Sequence, residues 1–452
     1  MSTEPIRLST SEIRTMAAET MTSQEILQKV YLDPVTMAVP QSLTFQRNIR
    51  FDSANKVGES YNGAIQLKRP TGLTFWGGDS RGTAAALNDA RAGKTAQVSV
   101  KPSSIMLREQ VSYDLAASCN PGAAFSPELA LITESMVESV NWALEMQLSY
   151  GGTNIGVANA VSSPASPAGT FQISKATWSP MIWGPFEGGA VDAYSDAALT
   201  VKVTNAGPAT VTWVDADARN VRLTFSAGAD YTAAAAAVAT GLYFVPYGAF
   251  VSSTDGWVDG VCSLITKSAA GGTVFGLNTS LYAYARSSSI AISGALSFAD
   301  VAAAVINPTT KGGMGDYTVV VNPYSWCDVM NDEAGLRRYV SDEGGEFVNG
   351  ANDLTYYGPN GGALRFEMNP FIKASEAYLL MYDDWRNVGS TLPTFKLPNR
   401  DPQHNAFLLD LPGNAGYELR RYSNVGTYCK RLARQAVLTG IVNASGPTGG
   451  GT

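Results

Sequence analysis

Histidine, cysteine and charged residues are all scarce in this chain. Its 452 residues include one histidine, His404, and four cysteines. With a single imidazole the chain cannot build a histidine-rich zinc site, and a Ser-His-Asp triad or a Cys-His pair would depend on that one residue. The cysteines are Cys119, Cys262, Cys327 and Cys429. Because no two of them form a C-x-x-C pair, we expect neither a zinc cage nor a disulfide framework, and we interpret them as free thiols in a reducing compartment.

Charged residues make up 16% of the chain, against about 25% in an ordinary soluble domain. The net charge is −7, whereas a dedicated nucleic-acid-binding domain is usually basic. The longest apolar runs, such as 233–239, are far shorter than the ~20 residues of a membrane-spanning helix. The polar N-terminus also lacks the apolar core of a secretion signal. A largely neutral surface suits a subunit that its neighbours cover.

Two segments lack the apolar residues for a core of their own. Residues 1–50 contain two short helix starts and are expected to lie across a partner or to stay disordered. Residues 57–107 predict a long β-hairpin, because 58–70 and 95–107 both alternate apolar and polar positions. Phe75 and Trp76 lie in the glycine-rich tip between those strands. An isolated hairpin is marginally stable, so this one needs a surface to lie on.

Residues 126–150 carry the strongest helix signal. Ser126 can cap the first turn, and Pro127 follows at the first helical position. Apolar residues recur at spacings of three and four, while Glu134, Glu138 and Glu145 are expected to lie off that stripe.

The remaining chain predicts a β-rich segment and then a mixed one. Within 155–296, short β-like runs at 198–203, 210–214, 221–225 and 241–245 indicate a sandwich or a barrel, and the alanine run 233–239 is typical of either a helix or a strand. A capped helix is expected from Ser297 to Ile306, ended by Asn307-Pro308, followed by a buried strand at 317–321 and a helix at 324–334. Later strands are expected at 362–368, 377–382 and 434–442.

The chemistry-bearing residues favour structural roles. Asp383 and Asp384 are sequence neighbours, which point to opposite sides of a strand, so they do not predict a general acid/base pair. Asp215 and Asp217 lack the glycine and the closing glutamate of a calcium loop and are expected to form a turn. The glycine-rich segments lack the Lys-Ser/Thr of a phosphate loop. We therefore expect no enzyme activity, no metal site and no cofactor.

The order of arm, long hairpin, long capped helix, insertion, short helix, buried strand and final strands resembles the major capsid protein of tailed bacteriophages, the Hong Kong 97-type shell protein. The segments that carry the resemblance are TAQVSVKPSSIMLREQVSYD (95–114), the helix 126–151, the segments 297–306 and 317–326, the strand pair 364–370 and 377–385 (with AYLLMYDDW), and QAVLTGIV (435–442). The resemblance covers the chain outside the arm and the segment 155–296, which a minimal family member lacks.

The resemblance implies an α+β, Hong Kong 97-type fold with an inserted, mostly-β domain. The implied parts are an N-terminal arm (1–50), an extended β-hairpin loop (51–110), a peripheral domain with a long spine helix (111–154), the inserted domain (155–296), an axial domain (297–385), and a return to the peripheral domain with a C-terminal tail (386–452).

The resemblance also implies a non-enzymatic subunit that assembles as pentamers and hexamers into an icosahedral head shell around double-stranded DNA. The expected partners are further copies of the chain, a separate scaffolding protein, a portal, a decoration protein and packaged DNA in non-specific contact, with no membrane. The expected location is the virion, after assembly in the bacterial cytoplasm. Candidate inter-subunit contact residues are Lys68, Arg69, Phe75, Trp76, Arg81, Arg91, Lys94, Glu134, Glu138, Glu145, Arg420, Arg421, Lys430, Arg431 and Arg434.

Other functions stay open at this point. An encapsulin-like compartment would share the fold but enclose protein cargo. A secreted carbohydrate-active β protein would be a different class, and the segment 155–296 could bind glycans through Trp183, Trp213 or Trp257. The basic run 420–434 could contact packaged DNA instead of a neighbouring subunit.

Overall fold

The structure is a computed structural model and describes residues 43–52, 56–57, 60–76, 86–113, 125–252, 255–334, 355–396, 409–410 and 413–444. Most of the predicted arm and the end of the tail therefore lie outside the described residues. The chain divides into two compact units. The first unit comprises Met1–Val39, Ile105–Asn141 and Pro393–Ser423, and the second comprises Pro40–Ser104, Trp142–Leu392 and Asn424–Thr452. The six domains expected from the sequence, with their boundaries, remain predictions.

Helices and strands are mixed along the chain, as the predicted α+β class requires. The α-helices are α1 (Thr44–Asn48), α2 (Phe125–Tyr150), α3 (Pro180–Trp183), α4 (Gly228–Ala237), α5 (Val261–Ala269), α6 (Phe298–Thr310) and α7 (Pro323–Ala334). The strands are β1 (Arg50–Asp52), β2 (Lys56–Val57), β3 (Ser60–Lys68), β4 (Lys94–Val100), β5 (Ser103–Ser112), β6 (Gly156–Ala165), β7 (Ala168–Ile173), β8 (Ala190–Tyr194), β9 (Ala209–Asp215), β10 (Asn220–Thr224), β11 (Leu242–Pro246), β12 (Phe250–Ser252), β13 (Asp255–Gly256), β14 (Thr273–Val274), β15 (Leu277–Asn278), β16 (Ser288–Gly294), β17 (Tyr317–Val321), β18 (Thr355–Tyr357), β19 (Ala363–Met368), β20 (Glu376–Leu380), β21 (Trp385–Thr394), β22 (Leu409–Asp410), β23 (Gly416–Cys429) and β24 (Ala436–Ile441). None of the helices in the described ranges has the length and hydropathy of a membrane span.

The long helix α2 confirms the prediction for 126–150. Its apolar stripe is buried, with Ile132 and Met136 packed against Val111 and Leu419 in the first unit. The helix ends where Gly151 N donates to the Gln147 carbonyl (2.9 Å) and Gly152 takes a positive φ of 75°. A left-handed residue of this kind is a common helix terminator.

The predicted hairpin is present in the second unit as the antiparallel pair β3 and β4, paired from Tyr61↔Val100 to Gln66↔Thr95 and, after a register shift, at Lys68↔Lys94. The returning strand predicted over 95–107 is wrong as one piece. It is interrupted at Lys101-Pro102, and β5 starts at Ser103. Proline has no backbone N–H to donate to a strand ladder, which favours the break at that position.

One face of the hairpin base packs on its own chain. Leu67, Val98 and Val100 form a hydrophobic cluster with Leu277, Val388 and Tyr428. The Tyr428 ring lies 5.2 Å from the Tyr61 ring and 5.4 Å from the Phe275 ring. The expectation that the hairpin needs a partner for support is therefore wrong for these two strands, and the tip is the part that remains exposed.

The β-rich segment contains a closed six-stranded barrel of order β10-β7-β6-β11-β8-β9, which agrees with the barrel alternative. Aromatic rings fill its interior, with Phe171 near Phe225, Tyr231 and Phe244. The alanine run is helical: its first part ends α4, and its last two residues lie in the 3-10 turn Val238–Thr240. The strand predicted at 198–203 is wrong: only one isolated bridge, Tyr194↔Lys202, forms there. The Asp196 carboxylate accepts from Thr200 N and Val201 N and holds this segment as a turn.

A six-stranded sheet of order β16-β24-β20-β17-β19-β18 forms the other large element of the second unit. The buried strand β17 matches the prediction for 317–321, and it pairs parallel with β19 and antiparallel with β20. The helix α6 has the expected capping box between Ser297 and Asp300, but it continues past Pro308 to Thr310, contrary to the expected end at Asn307-Pro308. In the last turn, Lys311 N donates a hydrogen bond to the Pro308 carbonyl (3.1 Å).

Shorter strand pairings occur in both units. In the second unit, β1 pairs parallel with β21 from Arg50↔Arg386 to Asp52↔Val388. In the first unit, β22 pairs antiparallel with the start of β23 through Leu409↔Glu418.

Candidate functional site

The two most exposed large apolar side chains of the described residues, Phe75 and Leu87, lie at the end of the hairpin. We call residues 71–76 and 86–93 the hairpin tip. Leu73, Phe75, Trp76 and Leu87 are 66%, 89%, 64% and 79% exposed. Each large apolar side chain of this kind stabilises a contact by about 1.5–3 kcal/mol when it becomes fully buried. A cluster of four is therefore a strong candidate for an interaction surface.

The two sides of the hairpin tip are connected by hydrogen bonds. Thr71 N donates to the Arg91 carbonyl (3.2 Å), and Asn88 Nδ2 donates to the Leu73 carbonyl (2.8 Å). Gly93 lies so close to the opposite side that a Cβ there would be 2.9 Å from the Lys68 carbonyl oxygen. The exposed rings thus belong to a connected hairpin end.

Four predicted contact cations flank the tip, and all are exposed: Lys68, Arg69, Arg91 and Lys94. Register places Lys68 opposite Lys94, so two like charges face each other across the hairpin. Lys94 Nζ donates to the Tyr282 hydroxyl (2.7 Å) and lies 5.3 Å from the centre of that ring. Within the described ranges none of the four cations forms an ion pair, which leaves them available to an acidic partner. Arg81 lies outside the described residues.

The three predicted glutamates of α2 have different environments. Glu134 is exposed and Glu138 is half-buried. Glu145 was expected on an accessible face, but it is fully buried, and its carboxylate accepts from Phe45 N (2.6 Å) and Gln46 N (3.0 Å). Burial raises the pKa of Glu145 from 4.5 to about 7, although the two backbone N–H groups favour its ionised form. Its contact in this structure is therefore with its own chain.

The contact of Glu145 fixes the end of the predicted arm. We call residues 44–48, the helix α1, the arm root. Phe45 is fully buried, and Arg47 forms an ion pair with Glu367 (Nη2–Oε1 3.1 Å). Asn48 Nδ2 also donates to Glu367 (2.9 Å). The sequence did not predict this packing, because one phenylalanine between polar residues does not form a periodic apolar pattern.

The predicted basic run near the C-terminus is partly neutralised within the chain. Arg420 Nε bonds to Glu418 (2.6 Å), and Arg431 Nε bonds to Asp384 (3.2 Å). Lys430 is exposed and Arg434 is half-buried. Arg421 is buried. A contact of this run with DNA or with a neighbouring subunit remains a prediction, and Lys430 is the member whose charge is most accessible.

The carboxylates considered for chemistry have structural environments. Asp384 is buried and forms an ion pair with the guanidinium of Arg431, while its neighbour Asp383 is exposed. Asp215 accepts from Asp217 N (3.0 Å) and Ala218 N (3.1 Å), which confirms the predicted turn. Among the described residues, no group of three or more His, Cys, Asp and Glu side chains could hold a metal ion.

A buried polar cluster in the second unit was missed by the sequence analysis. The hydroxyls of Tyr150 and Tyr378 both donate to the Glu376 carboxylate (2.8 and 2.6 Å). Lys373 Nζ donates to the Asn154 carbonyl (3.0 Å) and lies 4.3 Å from the centre of the Tyr150 ring. Burial lowers the pKa of Lys373. These polar groups satisfy one another, so the cluster holds α2 against β20 and its preceding loop.

The glycan platforms suggested for the β-rich segment are only partly available. Trp183 is fully buried against Phe244 (ring centroids 5.7 Å apart) and cannot stack on a sugar. Trp213 is 45% exposed, and Trp257 is half-buried.

No family model and no curated protein matches the chain. Solved structures do match, and they include phage capsid proteins, the class that the sequence resembles. The capsid asymmetric unit of cyanophage A-1(L) has 12% identity and a TM-score of 0.48, over 91% of this chain and 97% of that chain. A chain of Mycobacterium phage Adephagia has 11% identity and a TM-score of 0.41, over 96% and 98%.

The holo-SrpI encapsulin complex of Synechococcus elongatus has 8% identity and a TM-score of 0.37, over 93% of this chain and 95% of that chain. At these identities and TM-scores the likeness does not assign a function, so the geometry of the chain itself carries the proposal that follows.

Proposed function

We propose that the chain is a shell-forming subunit, the major capsid protein of a tailed bacteriophage. Copies of it assemble as pentamers and hexamers into an icosahedral head around double-stranded DNA, without catalysing a reaction. The observation that carries the proposal is the hairpin tip: four large apolar side chains, 64–89% exposed, at the end of a hairpin whose base is fixed to its own chain.

The cost of that exposure supports an assembled state. Large exposed apolar patches on soluble proteins mark interaction sites. A tip that inserts into another copy buries these side chains without changing the hairpin base. Repeated contacts of one kind build a ring or a shell when the rotation that relates each subunit to the next returns to the first subunit, which is the geometry of a capsid.

The charges support the same assignment. The cations beside the tip need acidic groups, and the chain carries more acidic than basic residues, with Asp+Glu 39 and Lys+Arg 32. A second copy therefore offers complementary charge. Charge complementarity chiefly sets the specificity and association rate of an interface.

The remaining parts of the proposal follow from the resemblance. A separate scaffolding protein and a portal take part in assembly in the bacterial cytoplasm, a decoration protein is a further candidate partner, and packaged DNA makes only sequence-independent contacts. No membrane is involved.

Sedimentation of the purified chain tests the proposal. We expect the wild type to form particles far larger than one chain, and the double variant Phe75→Ser, Trp76→Ser to stay small at the same concentration. Met314→Ser is the matched control, since Met314 is 72% exposed but lies outside the hairpin. A wild type that stays monomeric contradicts a shell function, and a monomer that hydrolyses glycans would support the carbohydrate-active alternative.

Particles that contain protein cargo and no DNA when isolated from the native host would instead support an encapsulin-like compartment.

A further inference from the structure

Arg421 is a buried cation with no carboxylate partner among the described residues. It lies on β23 in the first unit and is 7% exposed. Its Nη2 is 3.5 Å from Asn141 Oδ1, and its Cζ is 5.4 Å from the centre of the Phe395 ring. Nε and Nη1 are buried and have no hydrogen-bond partner. No carboxylate of the described residues lies within ion-pair distance of this guanidinium.

This arrangement is costly for a single chain. A guanidinium stays charged at all relevant pH values and carries five N–H donors. Burial removes the hydration of the charge, and the long contact with Asn141 and the Phe395 ring replace only part of the lost interaction. The burial lowers the pKa of Arg421, and no carboxylate opposes that effect. An anion that entered from outside would recover the lost interaction.

The nearby glutamate of the same strand, Glu418, already forms an ion pair with the neighbouring arginine, Arg420. Arg420 bonds to Glu418, and its side chain is 37% exposed. Residues 418 and 420 lie on one side of the strand, while 421 and 423 lie on the other. On that second side the Ser423 hydroxyl is also buried without a partner. Two unsatisfied polar side chains thus share one strand face.

We propose that Arg421 receives a carboxylate side chain from a second copy of this chain, as an anchor between subunits. The inference deepens the proposed shell function and rests on it. A carboxylate accepts hydrogen bonds from both a guanidinium and a hydroxyl, so it fits the two unsatisfied groups. Because Arg421 is covered in the single chain, entry of the carboxylate requires Arg421 or a side chain that covers it to change rotamer.

A protein carboxylate fits this site better than a DNA phosphate. The phosphates of a duplex lie on a wide, stiff backbone and are met by exposed side chains, whereas Arg421 is almost fully covered. A single aspartate or glutamate side chain can enter a narrow opening. The chain has 39 such residues and a net charge of −7, so a second copy supplies many of them.

The experiment compares Arg421→Met with Arg420→Met in the full-length chain, without nucleic acid. The first readout is the thermal unfolding of unassembled chain, and the second is the protein concentration at which particles form. Replacing a buried unpaired charge with an apolar side chain is expected to leave the unfolding temperature unchanged or to raise it. The concentration for assembly is expected to rise about tenfold or more, since a buried charge pair is lost. Arg420→Met is expected to change it about twofold or less, because Arg420 already pairs with Glu418 of its own chain.

Several results would overturn the inference. If Arg421→Met lowers the unfolding temperature and assembles like the wild type, Arg421 acts only within its own chain. If its particles form normally without nucleic acid but bind added DNA less than wild-type particles do, a phosphate is the partner. Arg421→Lys keeps the charge but lacks the planar guanidinium, so its concentration for assembly is expected to lie between those of the wild type and Arg421→Met. If Arg421→Met and Arg421→Lys both assemble at the wild-type concentration, the inference is overturned even if one of them folds poorly. A wild type that does not assemble refutes the shell function itself, and the inference with it.

Discussion

Glu145 makes the stability of the chain depend on pH in an unusual direction. Its carboxyl is fully buried under the arm root, and burial raises its pKa from 4.5 to about 7. The folded chain therefore binds this proton more tightly than the unfolded chain. The contribution of the group to stability is full below pH 4.5 and is lost as the pH rises through 7. Since tenfold tighter proton binding is worth about 1.4 kcal/mol, the loss is about 3 kcal/mol.

The variant Glu145→Gln isolates this effect. Glutamine keeps the shape of the protonated acid and cannot ionise. Near pH 5 we expect the variant to be less stable than the wild type by about 1–3 kcal/mol, because the amide NH2 cannot accept one of the two backbone hydrogen bonds that the carboxyl accepts. Between pH 5 and pH 8 the variant should gain about 3 kcal/mol relative to the wild type, because only the wild type acquires a buried charge.

Urea denaturation of the unassembled chain from pH 5 to pH 8 measures the free energy of unfolding of the variant and of the wild type. The difference between the two values removes the effect of all other titrating groups, because both proteins share them. Glu134→Gln is the matched control, since Glu134 is an exposed glutamate on the same helix. It should leave the pH dependence of the wild type unchanged. The reasoning is refuted if Glu145→Gln keeps the wild-type slope, or if the wild type gains stability relative to the variant as the pH rises.

Three further predictions concern stability and the hairpin. Phe45→Ala should lower the free energy of unfolding by about 3–5 kcal/mol in urea denaturation, because a fully buried ring is removed from the arm root; a loss under 1 kcal/mol would contradict its docking. Ser297→Ala should cost about 1 kcal/mol in the same assay through loss of the capping box of α6, and Ser289→Ala, which caps no helix, should cost less. Tyr428→Ala should cost about 3 kcal/mol and make residues 60–100 more sensitive to limited proteolysis, since Tyr428 contacts both Tyr61 and Phe275; unchanged cleavage would show that the hairpin base does not depend on this contact.

Local patterns predicted the elements that depend on local physics. The helix α2 and the strand β17 follow from a 3.6-residue period with end signals and from an uninterrupted β-branched run. The predicted strand at 198–203 failed because one side chain, Asp196, bonds to two backbone N–H groups and stabilises a turn instead. No hydrophobic pattern contains that information.

The contacts of the candidate site depend on distant segments and could not be predicted. Glu145 follows Leu144 in sequence, and only the arm root, about a hundred positions earlier, makes its burial possible. The hairpin base likewise packs on Tyr428 and Phe275, which the alternation of its own residues does not indicate. The exposed position of Phe75 and Trp76 was predictable, because the tip is rich in glycine and charged residues and has too few apolar residues to form a core.

Electron microscopy of the purified full-length chain tests the central claim most directly. We expect closed shells built from rings of five and six subunits, and the variant Phe75→Ser, Trp76→Ser should yield none under the same conditions. Single chains of the wild type at every concentration, with the hairpin tip still exposed, would contradict the account.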